Sequence, residues 1–151
     1  GRPDRDRDVI EEPIGVHPYQ REKMAIRANH ETSKPARTFY EVVERFAGFA
    51  VVRVLPKTGR THQIRVHLQG LGHPLVGDPV YRATPRGRAA APDLVTFQRQ
   101  ALHALKLAFD HPVTGERMEF EAPLPEDFQR ALDAIRQYRA KPPRNERTSR
   151  K

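Results

Sequence analysis

The chain has 151 residues, of which 27 are basic and 19 acidic, for a formal charge of +8, and it contains no cysteine. That length fits one domain at the usual roughly 100–200 residues per domain, and the missing cysteine excludes a disulfide scaffold, a thiolate metal site and a cysteine nucleophile while suiting a reducing compartment. The longest apolar stretches, such as Phe49-Ala50-Val51-Val52, fall far short of the roughly 18 residues a membrane helix needs, so no membrane partner is expected.

The first ten residues after Gly1 are rich in Arg and Asp, with no initiator methionine and no apolar signal segment. The chain therefore reads as a piece of something longer. Val9–His17 and Met24–Arg27 read as short strands broken by Pro13 and Pro18. Thr38–Phe46 is rich in β-branched and aromatic residues, Ala47-Gly48 reads as a turn, and Phe49–Leu55 returns as the second strand of a hairpin that ends at Pro56. After Thr58-Gly59 the period changes. Ile64, Leu68 and Leu71 fall on one stripe of a helix that starts near Thr61 and ends at Gly70 or Gly72, with His62, Arg65 and Gln69 on its other face. Tyr81 to Gln98, with Pro85 and Pro92, reads as an exposed loop. Leu102–Phe109 and Arg117–Glu121 form a second hairpin around a turn with Pro112 and Gly115. Pro125, Glu126 and Asp127 open a last helix whose buried stripe is Phe128, Leu132 and Ile135, with Arg136 and Arg139 at its negative end. No internal repeat is visible. The fold class is α+β, with a mixed, largely antiparallel sheet flanked by helices.

The charge is concentrated in two places. The tail Lys141–Lys151 holds five cations and one acid without apolar periodicity, and reads as a disordered basic arm separate from a domain at 1–140. Between Glu44 and Asp78 there is no carboxylate, yet Arg45, Arg53, Lys57, Arg60 and Arg65 lie there. Converging cations of this kind point to a polyanion. At the junction Lys57-Thr58-Gly59-Arg60-Thr61-His62-Gln63, Gly59 permits a tight turn and the helix start offers unpaired N–H groups at the positive end of a dipole, so a phosphate fits there. Arg65 lies one turn into the helix with no acid among its helical neighbours Thr61, His62, Leu68 and Gln69. If its face is covered, the guanidinium needs a carboxylate from elsewhere; the pattern alone leaves open whether it is simply exposed.

Other chemistries are poorly served. His62 and His67 are five apart, without the spacing of a zinc helix, so no metal is expected. The only serines are Ser33 and Ser149, neither in a nucleophile-elbow context. His73 and His111 precede prolines as turn residues do, and His103 reads as a hydrogen-bonded strand histidine.

The run from Thr58-Gly59-Arg60-Thr61-His62-Gln63-Ile64-Arg65 to Val66-His67-Leu68, then Gly72-His73-Pro74-Leu75-Val76-Gly77-Asp78 and Tyr81, closely resembles the signature of RluA-type pseudouridine synthases. Lys34-Pro35-Ala36 with Thr38 and Tyr40, Leu102-His103-Ala104, His111-Pro112 and Ala122-Pro123-Leu124-Pro125 resemble further family segments in family order. The resemblance implies isomerisation of uridine to pseudouridine in ribosomal or transfer RNA, without metal or dissociable cofactor, by a cytoplasmic enzyme that is a monomer when full length. It implies RNA contacts at Lys57, Gly59, Arg60, Thr61, His62 and Gln63, a structural turn at His73, Gly77, Asp78 and Tyr81, and an active-site wall at Leu102 and His103. Arg65 would pair with the catalytic aspartate. The family's HRLD-x-x-T-S-G segment, which carries that aspartate, and its K-x-Y-x-A segment do not occur here. The chain is thus expected to be the C-terminal part of a catalytic domain, inactive alone, with Arg65 incompletely satisfied. Ser33 where glycine is usual and Arg82 where a glycine usually follows the tyrosine are minor departures. A non-catalytic RNA-binding module built on the same half-domain is the alternative.

Overall fold

The computed structural model describes residues 2–46, 48–82 and 97–140, the last three without their side chains. The expected turn residue Ala47, most of the expected loop between Tyr81 and Gln98, the Arg139 side chain and the basic tail lie outside the described residues.

Pro13 cuts the first expected strand in two. β1 (Arg7–Ile10) ends before it and β2 (Ile14–Val16) begins after it, because proline supplies no ladder N–H. β2 pairs antiparallel with β3 (Met24–Ile26), and its Ile14 also exchanges backbone hydrogen bonds with Lys34. β4 (Thr38–Arg45) and β5 (Ala50–Pro56) form the expected hairpin, and β1 adds to the other side of β4 to give a sheet ordered β1-β4-β5. The β4–β5 register slips between Val42 and Glu44. Val43 is the extra residue and is half exposed, as a bulged residue is. The second hairpin is β6 (Lys106–Asp110) with β7 (Arg117–Glu121). Among the described residues every strand pair is antiparallel, and the strands fall into three sheets instead of one.

The two helices differ in how they are held. α1 (Gln63–Gly70) is buried over most of its circumference. Leu68 joins Ile10 and Tyr40, with Ile64, Val52 and Val54 around them, while Val66 packs on the opposite side with Ile14, Ala36 and Tyr81. The expected single stripe is therefore too narrow, and Leu71, placed on it from the sequence, is 42% exposed. α2 (Glu126–Ala140) is amphipathic as expected, and Phe128, Leu132 and Ile135 face an apolar cleft shared with Phe46, Phe49 and Leu102. Arg136 does not remain at the helix end. It reaches the sheet and pairs with Glu44, lowering that carboxyl's pKa through its hydrogen bond.

Burying α1 on both sides takes polar residues into the interior, and their hydrogen bonds are closed among themselves. His67 and Thr38 have no exposed surface. His67 Nε2 donates to the Glu12 carbonyl at 2.9 Å and Nδ1 accepts from the Thr38 hydroxyl at 2.8 Å, whose oxygen accepts from Gln63 Nε2 at 2.9 Å. Thr38→Val keeps the shape but leaves His67 Nδ1 without a partner, while Gln63 Nε2 keeps its bond to the Arg37 carbonyl; stranding the buried ring nitrogen costs about 1–3 kcal/mol. Urea unfolding of this variant should show a fall in midpoint with unchanged slope, and an unchanged midpoint would contradict the chain of bonds.

Candidate functional site

The strand-to-helix junction is a rigid turn. Arg60 N–H and the Thr58 hydroxyl both donate to Gln63 Oε1, at 3.0 and 2.8 Å, and Gln63 Nε2 donates to the Arg37 carbonyl as well as to Thr38. Gln63 is only 4% exposed with both ends of its amide occupied, so the expectation that it contacts RNA is corrected: it builds the turn. The role expected of Gly59 also changes. It has no positive φ, and a Cβ there would meet nothing within 4 Å. The residue that turns the chain is His62, with φ 56° at the helix N-cap, a conformation uncommon outside glycine but one that histidine, like asparagine and aspartate, adopts more often than most residues. Nothing in the sequence pattern marks it.

Lys57, Arg60 and Thr61 are exposed on this turn. Arg60 is partly fixed, its Nε donating to the Pro35 carbonyl at 3.0 Å. The five cations counted between Glu44 and Asp78 are not all uncompensated, because folding brings carboxylates from outside the stretch. Arg45 pairs with Asp6 at 2.8 Å, Arg53 with Glu41 at 3.3 Å and Arg65 with Asp78 at 2.8 Å. Lys57 and Arg60 make no ion pair among the described residues, and they are the charge left for an anionic partner.

Arg65 is the centre of the buried part of the site. Its Nε donates to Asp78 Oδ2 and its Nη2 to Asp78 Oδ1, both at 2.8 Å. The expectation that Arg65 lacks a carboxylate within this chain is thus corrected; the GHP-x-x-GD turn supplies it across 13 residues, beyond the reach of helical-neighbour counting. Asp78 Oδ1 also accepts the N–H groups of Val80 and Tyr81, at 2.9 and 3.0 Å. Gly77, before it, has φ 70°, and a Cβ there would lie 2.3 Å from the Arg99 carbonyl oxygen, so only glycine fits. Burial alone would raise the Asp78 pKa, but the Arg65 bonds and these two N–H groups hold it down at about 2. His73, at the other end of the turn, donates its N–H to the Leu68 carbonyl.

Tyr81 links this pair to its surroundings. Its ring lies under the guanidinium, 4.9 Å from carbon to centroid, its hydroxyl accepts the Met24 N–H at 2.9 Å, and the same hydroxyl bonds His62 Nδ1 at 2.9 Å. Burial, then the Arg65 charge, lower the His62 pKa, so the ring is neutral at pH 7. Arg65 Nη1 makes no hydrogen bond among the described residues. Leu102 and His103 are not brought to this cluster. Leu102 lines the cleft beneath α2, and His103 Nε2 bonds the Ala122 carbonyl at 3.2 Å. No group of metal-ligating side chains occurs among the described residues, and no described helix is long and apolar enough to cross a membrane.

Residues 3–70 match the family model described as RNA pseudouridylate synthase. The chain is 48% identical over 128 residues to the ribosomal large subunit pseudouridine synthase D of Nitrosomonas europaea and 49% identical over 136 residues to that of Pseudomonas aeruginosa. These alignments take in 85% and 87% of the chain but 36% and 42% of the relatives, so the chain spans about two fifths of their length. Among solved structures, human RNA pseudouridylate synthase domain containing 1 superposes with a TM-score of 0.64 at 33% identity, over 94% of this chain and 63% of that one. Human RNA pseudouridylate synthase domain containing 4 gives 0.65 at 25% identity, over 87% of this chain and 57% of that one.

The ion pair sets two outcomes. Removing one partner leaves the other charged and buried, so Arg65→Leu and Asp78→Ala should each cost the chain about 3–5 kcal/mol in denaturant melts, and replacing both by apolar residues should cost much less than the sum. An unchanged stability for Arg65→Leu would show the pair to be absent. Because the Asp78 pKa is depressed, the stability it provides is complete above the ordinary carboxylate range and is lost as pH falls through about 2. The loss, about 2 kcal/mol by linkage, should be seen in melts between about pH 4 and pH 2 and should be missing when both partners are replaced.

Proposed function

We propose that the chain, which is similar to pseudouridine synthases of the RluA type, forms one side of a catalytic site that converts uridine to pseudouridine in RNA of the large ribosomal subunit. The reaction is an isomerisation: the N-glycosidic bond breaks, the uracil turns, C5 bonds to the same sugar carbon and gives up its proton, and N1 takes up a proton, with no net gain or loss of atoms. It needs no metal or dissociable cofactor. The observation that carries this reading is the way Asp78 holds the Arg65 guanidinium by Nε and Nη2. Nη1 would then be the nitrogen left for the reactive carboxylate expected in a segment these 151 residues do not include. Arg65 would then orient that carboxylate and keep it ionised, while Lys57 and Arg60, lacking acidic partners, take phosphates on the rim of the site. Thr61 and the neutral ring of His62 complete that rim. The relatives' names support ribosomal RNA over transfer RNA.

Without the carboxylate there is no group to attack the sugar or base, so the chain alone should bind RNA and not modify it. Tritium release from RNA labelled at uridine C5 checks this, with none expected above background and enzyme-dependent release contradicting it. Such release would also shift the reading of Asp78, the one buried aspartate beside Arg65. The absence of the nucleophile segment equally favours a binding module that retained the half-domain. A longer polypeptide carrying that segment separates the two, because it should turn over and should lose turnover on Arg65→Lys while still binding RNA.

Phosphate contacts release counterions, so RNA affinity should fall as salt rises. Replacing Lys57 and Arg60 together by alanine should reduce the slope of log affinity against log salt by about two. Deletion of Lys141–Lys151 should weaken binding less than this pair. If tail deletion abolishes binding while the double replacement is harmless, the rim is misassigned.

A further inference from the structure

His62 makes two contacts with one residue. Its ring meets the Tyr81 ring edge to face, with centroids 5.5 Å apart and planes at 79°, and its Nδ1 lies 2.9 Å from the Tyr81 hydroxyl oxygen. That oxygen also accepts the Met24 N–H at 2.9 Å. Tyr81 is 3% exposed, and its side chain makes these two hydrogen bonds among the described residues. The hydroxyl therefore has one proton to place and one acceptor within reach, which is Nδ1. A proton on Nδ1, in the other neutral tautomer or in the charged ring, would turn a second donor toward the oxygen. The phenolic proton would then be stranded in a buried position, which is costly. A charged ring would also share Tyr81 with the Arg65 guanidinium, whose carbon lies 4.9 Å from the tyrosine centroid. Burial and then Arg65 hold the histidine pKa down against the smaller pull of Asp78. A neutral imidazole whose Nδ1 accepts carries its proton on Nε2. Nε2 makes no hydrogen bond among the described residues, and His62 is only partly buried, on the turn that exposes Lys57, Arg60 and Thr61.

We propose that Tyr81 is a positioning residue for His62, locking it as the neutral tautomer with its proton on Nε2, so that this histidine meets RNA as an uncharged hydrogen-bond donor to an RNA oxygen. The proposal rests on the RNA reading above and adds to the rim a contact of a different kind. Lys57 and Arg60 offer charge, which attracts a polyanion from any direction. A neutral ring held by Tyr81 and by the left-handed backbone of position 62 offers one donor in one direction. Tyr81 thereby couples the buried Arg65–Asp78 pair to the surface of the turn, since the same ring lies under the guanidinium.

Long-range proton–nitrogen spectra of the histidine rings in the 151-residue chain at neutral pH should show the His62 proton on Nε2. Tyr81→Phe keeps the aromatic ring and removes the hydroxyl, and His62 should then become a mixture of both tautomers; the amides of β4 and α1 show whether the fold persists. Binding of a single-stranded oligouridylate reads the second half. His62→Asn suits the left-handed backbone but its amide ends near the Nδ1 position, with no donor where Nε2 was. It should weaken binding about three- to tenfold, the range of one hydrogen bond. His62→Gln, whose amide nitrogen reaches the Nε2 position, should recover most of that loss. Neither change should alter the salt slope, because an uncharged donor releases no counterion. A proton on Nδ1 in the unmodified chain, a tautomer untouched by Tyr81→Phe, unchanged affinity in His62→Asn, or a slope reduced by about one would each overturn the proposal. If Tyr81→Phe unfolds, the unmodified ring and the two His62 variants still decide. If the unmodified chain binds no oligouridylate, the RNA reading falls and takes the donor role with it, while the ring spectra decide by themselves whether Tyr81 sets the tautomer.

Discussion

The bidentate pair between Arg65 and Asp78 fixes how three segments meet. Arg65 belongs to α1, Asp78 to the glycine-containing turn after it, and Tyr81, whose backbone Asp78 also holds, reaches the start of β3 through Met24 and the start of α1 through His62. A buried ion pair repays its desolvation only when its geometry is good and its remaining lone pairs are used. Here the carboxylate accepts four hydrogen bonds, two from the guanidinium and one each from Val80 and Tyr81. The pair is therefore better understood as fixing a unique arrangement than as adding net stability, and the direction of the guanidinium is what any function of the site inherits from it.

The other charges follow the same logic with less at stake. Arg45, Arg53 and Arg136 each meet a carboxylate brought from another part of the chain, on surfaces where such pairs contribute about 1 kcal/mol or less. The pairs of Arg45 and Arg53, with that of Arg65, discharge most of a stretch that looks strongly cationic when read along the sequence. What is left, Lys57 and Arg60, is a narrow feature on one turn, and narrowness is what register on a polyanion requires.

The strands at 38–45, 50–56, 106–110 and 117–121 and the helix from 126 were legible because a period of two, a turn signal or an acidic first turn states them locally. The family resemblance was legible because its motifs are long and in order. The surroundings of α1 were not. Gln63 and His67 are polar residues with partners at Thr38, Arg37 and Glu12, 25 to 55 positions away, so neighbour counting along the helix takes them for solvent-facing positions. For the same reason Arg65 seemed to want a carboxylate that Asp78, already visible in the next turn, was holding out to it. The left-handed backbone at His62 has no compositional mark at all, since the glycine nearby at position 59 draws the attention that belongs to its neighbour.

Both clusters of buried apolar residues draw every member from positions 10 to 81, the first from Ile14 to Tyr81 and the second from Ile10 to Leu75. The hairpin at 106–121 contributes to neither. On a ribosome that delivers the chain from its N-terminus, the first eighty-odd residues hold all that these two clusters require. That part can therefore close as a cooperative unit while the later elements are still being made, and local opening in the finished molecule should start with the hairpin. Within these 151 residues, the order of synthesis thus places both clusters before the hairpin.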